Sequence, residues 1–561
     1  MRSICYQFAI VGGGLTGTAM LCRLVERLGD QGKVCGLKPS NLEVQLYEKQ
    51  KVFGPGFPHS GEMTLPVHIT NMCASDMGIL YNRPEDFREW VAHSLNVLHN
   101  QFEWFDPGNI SGDSSEGLCN HYPRAVMGAY LKARFQEAVE AAQAIGIRVK
   151  RHSNSEVVDI AETNGQARLV IKNTWNGKRV TETADRVLLA TGHWMAAEHS
   201  TNYFPSPWPA ARLLSRIPEK EKVAVIGTSL SAIESLLTLT MDGEFYRSRN
   251  GVLMFAPSAN TRTFVLYSRR GLLPKVRGRI GSRKNRFFIR ENIKRLRSAN
   301  EGRLKLNDIF ELLNAELEDA YGRKMDWTKV LAPKKAPVAL LKSYLNDAVH
   351  GDGRQGEVVW QTVLHQSLDF IRDIYLNLTP EDRQLFDREY TSAFFTHAAT
   401  QPIINAEKLL ALLKSGIVRI VKLGNDYRLQ KSETTGRYTF FYKDEGSVLK
   451  KESFQYVVNA RGQERSVKTD PSDLMRNLIA SGAVHLAEPS RSNGSIQIDP
   501  ATHRVIRRRP EGAFAKSRTL YAVGAMTRDQ IIDASMAKSI VEAVYKVTED
   551  LMKDISDVVG V

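Results

Sequence analysis

Cysteine is scarce: five residues, at 5, 22, 35, 73 and 119, are odd in number and include no Cys-x-x-Cys pair. That excludes a redox dithiol of this spacing, points to a reducing compartment, and leaves buried packing as the expected role of each thiol. No apolar run approaches the roughly 20 residues needed to cross a bilayer. The first strand-like run starts within about six residues of Met1, leaving no room for a secretory leader. Cytoplasmic residence is the expectation from these absences. No His/Cys/Asp cluster has metal-ligand spacing, so no metal is expected, and no nucleophile-elbow sequence supports a Ser/His/Asp hydrolase. Repeats and low-complexity tracts are also missing.

What is present is an ordinary globular composition, 42% hydrophobic and 25% charged, in 561 residues. That length exceeds what one core usually supports, so two or three domains are expected. The net charge is +14, and from Arg269 to Arg297 twelve lysines and arginines face one acid, Glu291. Three readings stand: a solvated basic face, a site for an anionic substrate or acidic carrier protein, and a nucleic-acid or lipid surface. Aromatics there are limited to Phe287 and Phe288, which is thin for base stacking.

The most informative stretch is Phe8-Ala-Ile-Val-Gly-Gly-Gly-Leu-Thr-Gly17, where an apolar strand enters a glycine-spaced turn and leaves into a helix. Gly12 allows the tight turn, Gly14 lets backbone approach a pyrophosphate, and Gly17 lets helix pack on strand. Leu15 and Thr16 open the helix, whose unpaired N–H groups face the phosphates. Leu42–Tyr47 reads as the next strand, and Glu48 at its end is placed for a ribose. It arrives later than the usual spacing of roughly 20 residues, so Gly36 to Asn41 reads as a surface insertion. In Phe53-Gly-Pro-Gly-Phe-Pro-His59, Gly54 and Gly56, with Phe57, would permit close approach to a ligand.

Lys222-Val-Ala-Val-Ile-Gly-Thr-Ser-Leu230 repeats the pattern, with Gly227, Thr228, Ser229 and Leu230 at the turn and Ala232 in place of the third glycine. Two turns imply two dinucleotides. Phe264 to Ser268 then reads as a strand, and Arg269 and Arg270 after it suit a 2′-phosphate, favouring NADPH over NADH, unless they are solvated loop charges. Between the turns, Asp185-Arg-Val-Leu-Leu-Ala-Thr-Gly-His193 is a strand ending in Ala190, Thr191 and Gly192, and Tyr456 to Gln463 is a similar strand.

On these segments the chain resembles the two-dinucleotide-binding-domain flavoproteins, whose FAD and NAD(P) domains are interleaved. More narrowly it is similar to the bacterial FAD-NAD(P)-binding family, through the first glycine turn, Tyr122 to Leu131, Ala190 to His193 with Tyr203 to Trp208, Gly227 to Ala232, Ser268 to Pro274 and Asn459 to Gln463. The missing Cys-x-x-Cys separates it from the disulfide-reductase branch of that architecture. The resemblance implies an α/β fold of two interleaved Rossmann-like domains with a mainly helical insertion. Expected boundaries are 1–217 and 452–561 for the FAD domain, 218–271 and 401–451 for the NAD(P) domain, and 272–400 for the insertion.

It further implies that Asn71 and Arg124 lie near the flavin, that the backbone at Val158 meets adenine, and that a helix after Gly524, reaching Ile532, points its start at the flavin. His193 stands where the amine N-hydroxylases often carry tyrosine, and could sit where nicotinamide meets flavin. Asn71 and His193 are therefore the candidate catalytic residues, with a turn-forming asparagine and a structural histidine as the bland alternatives. The implied activity is that of an NADPH-using FAD monooxygenase, in which a C4a-(hydro)peroxyflavin oxygenates a small soft nucleophile such as an amine. Phe204 to Trp208 does not reproduce the Baeyer–Villiger signature. The alternatives are a flavin dehydrogenase or oxidase that inserts no oxygen, and a nonenzymatic FAD/NAD(P) sensor.

Overall fold

The computed structural model describes residues 5–29, 38–105, 120–198, 200–462, 466–487, 494–508, 511–528, 531 and 533–559. The run Tyr6–Val11 is apolar without alternation because both of its faces are covered. Phe8 and Ile10 pack among the helices Leu15–Gly29, Arg124–Ala144 and Ala537–Val559. Ala9 and Val11 face the antiparallel layer Ser155–Thr163, Gln166–Asn173 and Arg179–Ala184, and the helix Asp473–Ala480. Around this strand lies a sheet in the order Arg504–Arg508, Phe514–Ala522, Arg186–Leu189, Tyr6–Val11, Leu42–Tyr47, Arg148–His152. It is parallel except for its first pair.

A second, parallel sheet runs Val418–Lys422, Thr263–Ser268, Lys222–Ile226, Tyr456–Asn459, Tyr203–Phe204. Here too alternate residues divide: Val223 and Val225 face the helices Leu230–Leu239 and Ile403–Lys414, while Ala224 and Ile226 face the antiparallel layer 428–454. This order corrects two expected boundaries. Tyr203–Phe204 and Tyr456–Asn459, assigned from sequence to the first domain, complete the sheet of the second. The segment 272–400 is helical as expected, but its helix Pro337–His350 packs into the core of the second unit through Leu341 and Tyr344.

Cys73 is in disulfide linkage, whereas Cys5 and Cys22 are free. That corrects the expectation of five packing thiols and removes one support for a reducing compartment. No helix of the described residues is long and apolar enough to cross a membrane.

The helix Ala537–Val559 is fastened to the first sheet by charge as well as packing. Arg504 reaches Asp550 at 2.6 Å and Asp554 at 3.0 Å, and the Tyr6 hydroxyl donates to Asp554 at 2.7 Å. Burial pushes the Asp554 carboxyl up, but bonds from Arg186 and Tyr6 outweigh it and hold it below its ordinary value. A carboxyl lowered on folding stabilises the fold above its unfolded pKa of about 4 and loses that contribution as pH falls through the folded value. Asp554→Asn should therefore lower stability at pH 7 by about 1–3 kcal/mol, with the gap to wild type closing in denaturation curves below about pH 4.

Candidate functional site

The turn after Tyr6–Val11 depends on Gly12. Its φ is +113°, its N–H donates to the Tyr47 carbonyl at 2.8 Å, and a Cβ there would lie 2.2 Å from the Ala190 oxygen. Gly17 is equally constrained, since its Cβ would meet the Gly12 oxygen at 2.2 Å. Gly14 lies against Gly56, where a Cβ on either would come within about 3 Å of the other's Cα. Gly56 thus serves approach to the turn itself. Gly54, expected to admit a ligand, instead admits the backbone of the helix at Lys132, 2.7 Å from its would-be Cβ.

Glu48 is buried and accepts from the Gly13 N–H at 2.8 Å and the Gln50 N–H at 2.9 Å. Burial raises its pKa against the pull of those bonds. The carboxylate therefore locks the turn, and its remaining lone pairs stay available to a ribose.

Beside the turn is a cavity of about 450 Å³. Gly12, Gly14, Leu15, Thr16, Glu48, Gly56 and Phe57 line it from the first unit, joined by Ala190, Thr191, Gly192 and His193 from the Ala-Thr-Gly strand and by Gly524. Gly17 lies beneath them as a packing residue. Two expectations are corrected at its edges. Val157, with Ser155 and Glu156, lines the cavity, whereas the Val158 carbonyl accepts from Asn477 Nδ2 at 2.9 Å. After Gly524 comes only the short 3-10 turn Ala525–Thr527, and the helix proper begins at Ala537. Among the described residues no helix starts directly after Gly524, and Ile532 lies outside them; Ser535 and Ile540 also line the cavity.

Sequence reasoning did not single out His59, Trp194 or Asp470 to Ser472, which also line the cavity. His59 closes a glycine-rich segment that was legible, but no spacing rule marked the imidazole. Burial, then the Arg124 charge, takes His59 down to about 3. Burial, then the charges of Arg528 and Arg124, takes His193 down to about 4. The cavity thus holds two neutral imidazoles, and His59 Nδ1 is buried without a partner. A space bounded by glycines that no Cβ could replace, backbone at close range and an orphaned imidazole nitrogen together fit a dinucleotide with a ring system at one end.

The second turn copies the first. Gly227 has φ +126°, its N–H donates to the Tyr267 carbonyl at 2.7 Å, and its Cβ would meet the Ala460 oxygen at 2.6 Å. The Ala460 N–H donates to Ile226 just as that of Ala190 donates to Val11, both at 2.8 Å. Ala460-Arg461-Gly462 is therefore the counterpart of Ala190-Thr191-Gly192, and the residue after Tyr267, Ser268, takes the place of Glu48. Ser268 Oγ accepts from the Gly271 N–H at 2.9 Å, and Thr228 Oγ1 donates to the Leu272 carbonyl at 2.6 Å, closing the loop that carries both arginines. Ser229 precedes the helix that Leu230 opens. Arg270 pairs with Glu389 at 2.8 Å. Arg269 is exposed and makes no ion pair among the described residues.

Arg124 and Asn71 do not line the cavity. Arg124 binds the buried Glu234, at 2.7 and 2.9 Å, on the helix of the second turn. Beside it His68 Nε2 meets Thr238 Oγ1 at 2.9 Å. These contacts bolt one nucleotide unit to the other. Asn71 Oδ1 is buried without a partner. Part of the basic run is paired within the chain, Arg283 with Glu316 and Asp319, Arg286 with Asp319 and Arg290 with Asp373, while Arg279, Lys284, Lys294, Arg295 and Arg297 are exposed. Arg277 instead turns inward, and burial lowers its pKa against the weak pull of Asp76.

Comparison with known proteins agrees with this geometry. A family described as FAD-NAD(P)-binding matches residues 9–194. An uncharacterized Escherichia coli K12 protein, YdhS, is 24% identical over 486 residues, 82% of this chain and 83% of its own. Among solved structures, the reduced ornithine hydroxylase PvdA of Pseudomonas aeruginosa covers 98% of the chain and 100% of its own at 13% identity and TM-score 0.53. The ornithine N-hydroxylase KtzI of Kutzneria sp. 744, solved with reduced FAD, NADP+ and L-ornithine, covers 98% and 99% at 12% identity and TM-score 0.51. The chain is folded as these hydroxylases are, as two Rossmann-type units joined through one α/β framework.

Proposed function

We propose that this protein is an FAD-dependent, NADPH-using monooxygenase that oxygenates a small soft nucleophile such as an amine. The observation that carries the reading is the pair of matching turns, one with a buried acid after its second strand and the other with Ser268 and Arg269, which has no ion pair among the described residues, at that place. An acid there suits the ribose hydroxyls of FAD, whereas serine and arginine suit a 2′-phosphate. The ornithine and lysine hydroxylases of the same fold support the reaction class.

Bound FAD would supply hydride acceptance from NADPH and activation of O2. Gly12 to Thr16 would hold its pyrophosphate against backbone N–H groups and Glu48 its ribose. His59 and His193, both neutral, would offer hydrogen bonds at the cavity without adding charge. Arg277, whose Nε is buried without a hydrogen bond like His121 Nε2 and Asn71 Oδ1, favours a substrate bearing an anionic group over an acidic carrier docked on the surface.

Anaerobic rapid mixing of FAD-loaded protein tests the reading. NADPH should bleach the flavin faster than NADH, and addition of oxygen with the right amine should give hydroxylated product carrying one atom of labelled O2. Hydrogen peroxide equal to the NADPH consumed, with every amine tried, would move the reading to an oxidase. Arg269→Ala should raise KM for NADPH about 10–100-fold and leave that for NADH unchanged. Arg270→Ala should do less, because its charge already serves Glu389; equal effects of the two would refute the assignment. Since both cavity histidines titrate well below their ordinary value of about 6.5, the rate of flavin reduction should show no histidine step between pH 6 and 8. A step that His193→Gln removes would contradict this.

A further inference from the structure

We propose that the helical insertion holds a second ligand site, for a small and mainly apolar ring compound bearing one hydroxyl or N–H group, recognised by His397. The helices Leu306–Tyr321, Trp327–Leu331, Val359–Asn377 and Thr391–Ala398 enclose a cavity of about 100 Å³. It shares no lining residue with the nucleotide cavity. Its walls are apolar, with Phe310, Leu313, Trp327, Trp360 and Phe394 among them. Two of its polar groups are engaged: Trp327 Nε1 donates to Asn314 at 3.0 Å and the Tyr375 hydroxyl to Asp387 at 3.1 Å.

His397 is not engaged in this way. It is 7% exposed, its ring lies 4.4 Å from that of Trp360, and its Nδ1 is buried with no hydrogen-bond partner. Burial, then the Lys275 charge, takes the imidazole down to about 3 and keeps it neutral, so it asks for a neutral partner rather than an anion. A buried polar atom left unpaired is costly unless something occupies the space beside it. An apolar cavity of this order stays dry and admits a ring, as engineered cavities of about 150 Å³ admit benzene.

A third observation points the same way. One wall, Phe386–Tyr390, is π-helical. Such turns are rare and recur at functional sites because the extra residue re-aims side chains. Here it presents Phe386 and Tyr390 to the cavity.

The test is titration of the FAD-loaded full-length protein with p-cresol and with toluene, followed by tryptophan fluorescence and by thermal melting. Both probes should bind saturably and raise Tm, with p-cresol about tenfold tighter. Ala393→Phe and Leu313→Trp, which fill the cavity from two sides, should abolish both responses while melting stays cooperative. His397→Phe should erase the preference for p-cresol and keep toluene binding. No saturable response to either probe, unchanged binding in both filled variants, or equal affinity for the two probes in the wild type would overturn the proposal.

Discussion

Two carbonyl oxygens, those of Ala190 and Ala460, sit where a Cβ on the facing glycine would have to be, at 2.2 and 2.6 Å. Each fixes a glycine in the left-handed region, and each glycine opens a strand-to-helix turn at the edge of its sheet. The carbonyl belongs to a returning strand, with Arg186–Leu189 beside Tyr6–Val11 and Tyr456–Asn459 beside Lys222–Ile226, so the space that demands glycine is set by distant parts of the chain. The same pairing places Thr191, Gly192 and His193 over the first cavity.

One buried charged contact links the two turns. Glu234 is 3% exposed, and among the described residues Arg124 is its cationic partner. Removing one member of such a pair strands the other, at a cost of about 3–5 kcal/mol. The Arg124 N–H also donates to the His68 carbonyl at 2.8 Å, and the His68 ring reaches Thr238 on the helix that bears Glu234. Arg124 therefore sets where the second turn stands relative to the first, and its charge helps keep His59 and His193 neutral. Position and electrostatics of the cavity share this one guanidinium.

The glycine turns and Glu48 were legible in the sequence because a left-handed φ, a close approach and a strand-ending acid each demand particular residue types at fixed spacing. Other features have no such local signature. Tyr203–Phe204 and Tyr456–Asn459 read as strands, but which sheet they join depends on partners far away in the chain. Arg124 read as a cofactor ligand because nothing local marks Glu234 as its partner. Among the described residues after Gly524 a helix begins at Ala537, and it packs against Leu15–Gly29, a partner far away in the chain. The pairing of Arg283, Arg286 and Arg290 was not legible because their acids, Glu316, Asp319 and Asp373, come later in sequence on two other helices.

The decisive measurement is a crystal structure of the protein soaked with FAD and NADP+ together. The expected result is FAD in the cavity with its pyrophosphate over Gly12 to Gly14, and NADP+ over Gly227 to Ser229 with its 2′-phosphate on Arg269. A single nucleotide per chain, or an NADP+ whose phosphate lies away from Arg269, would contradict the two-turn reading on which the proposed chemistry rests.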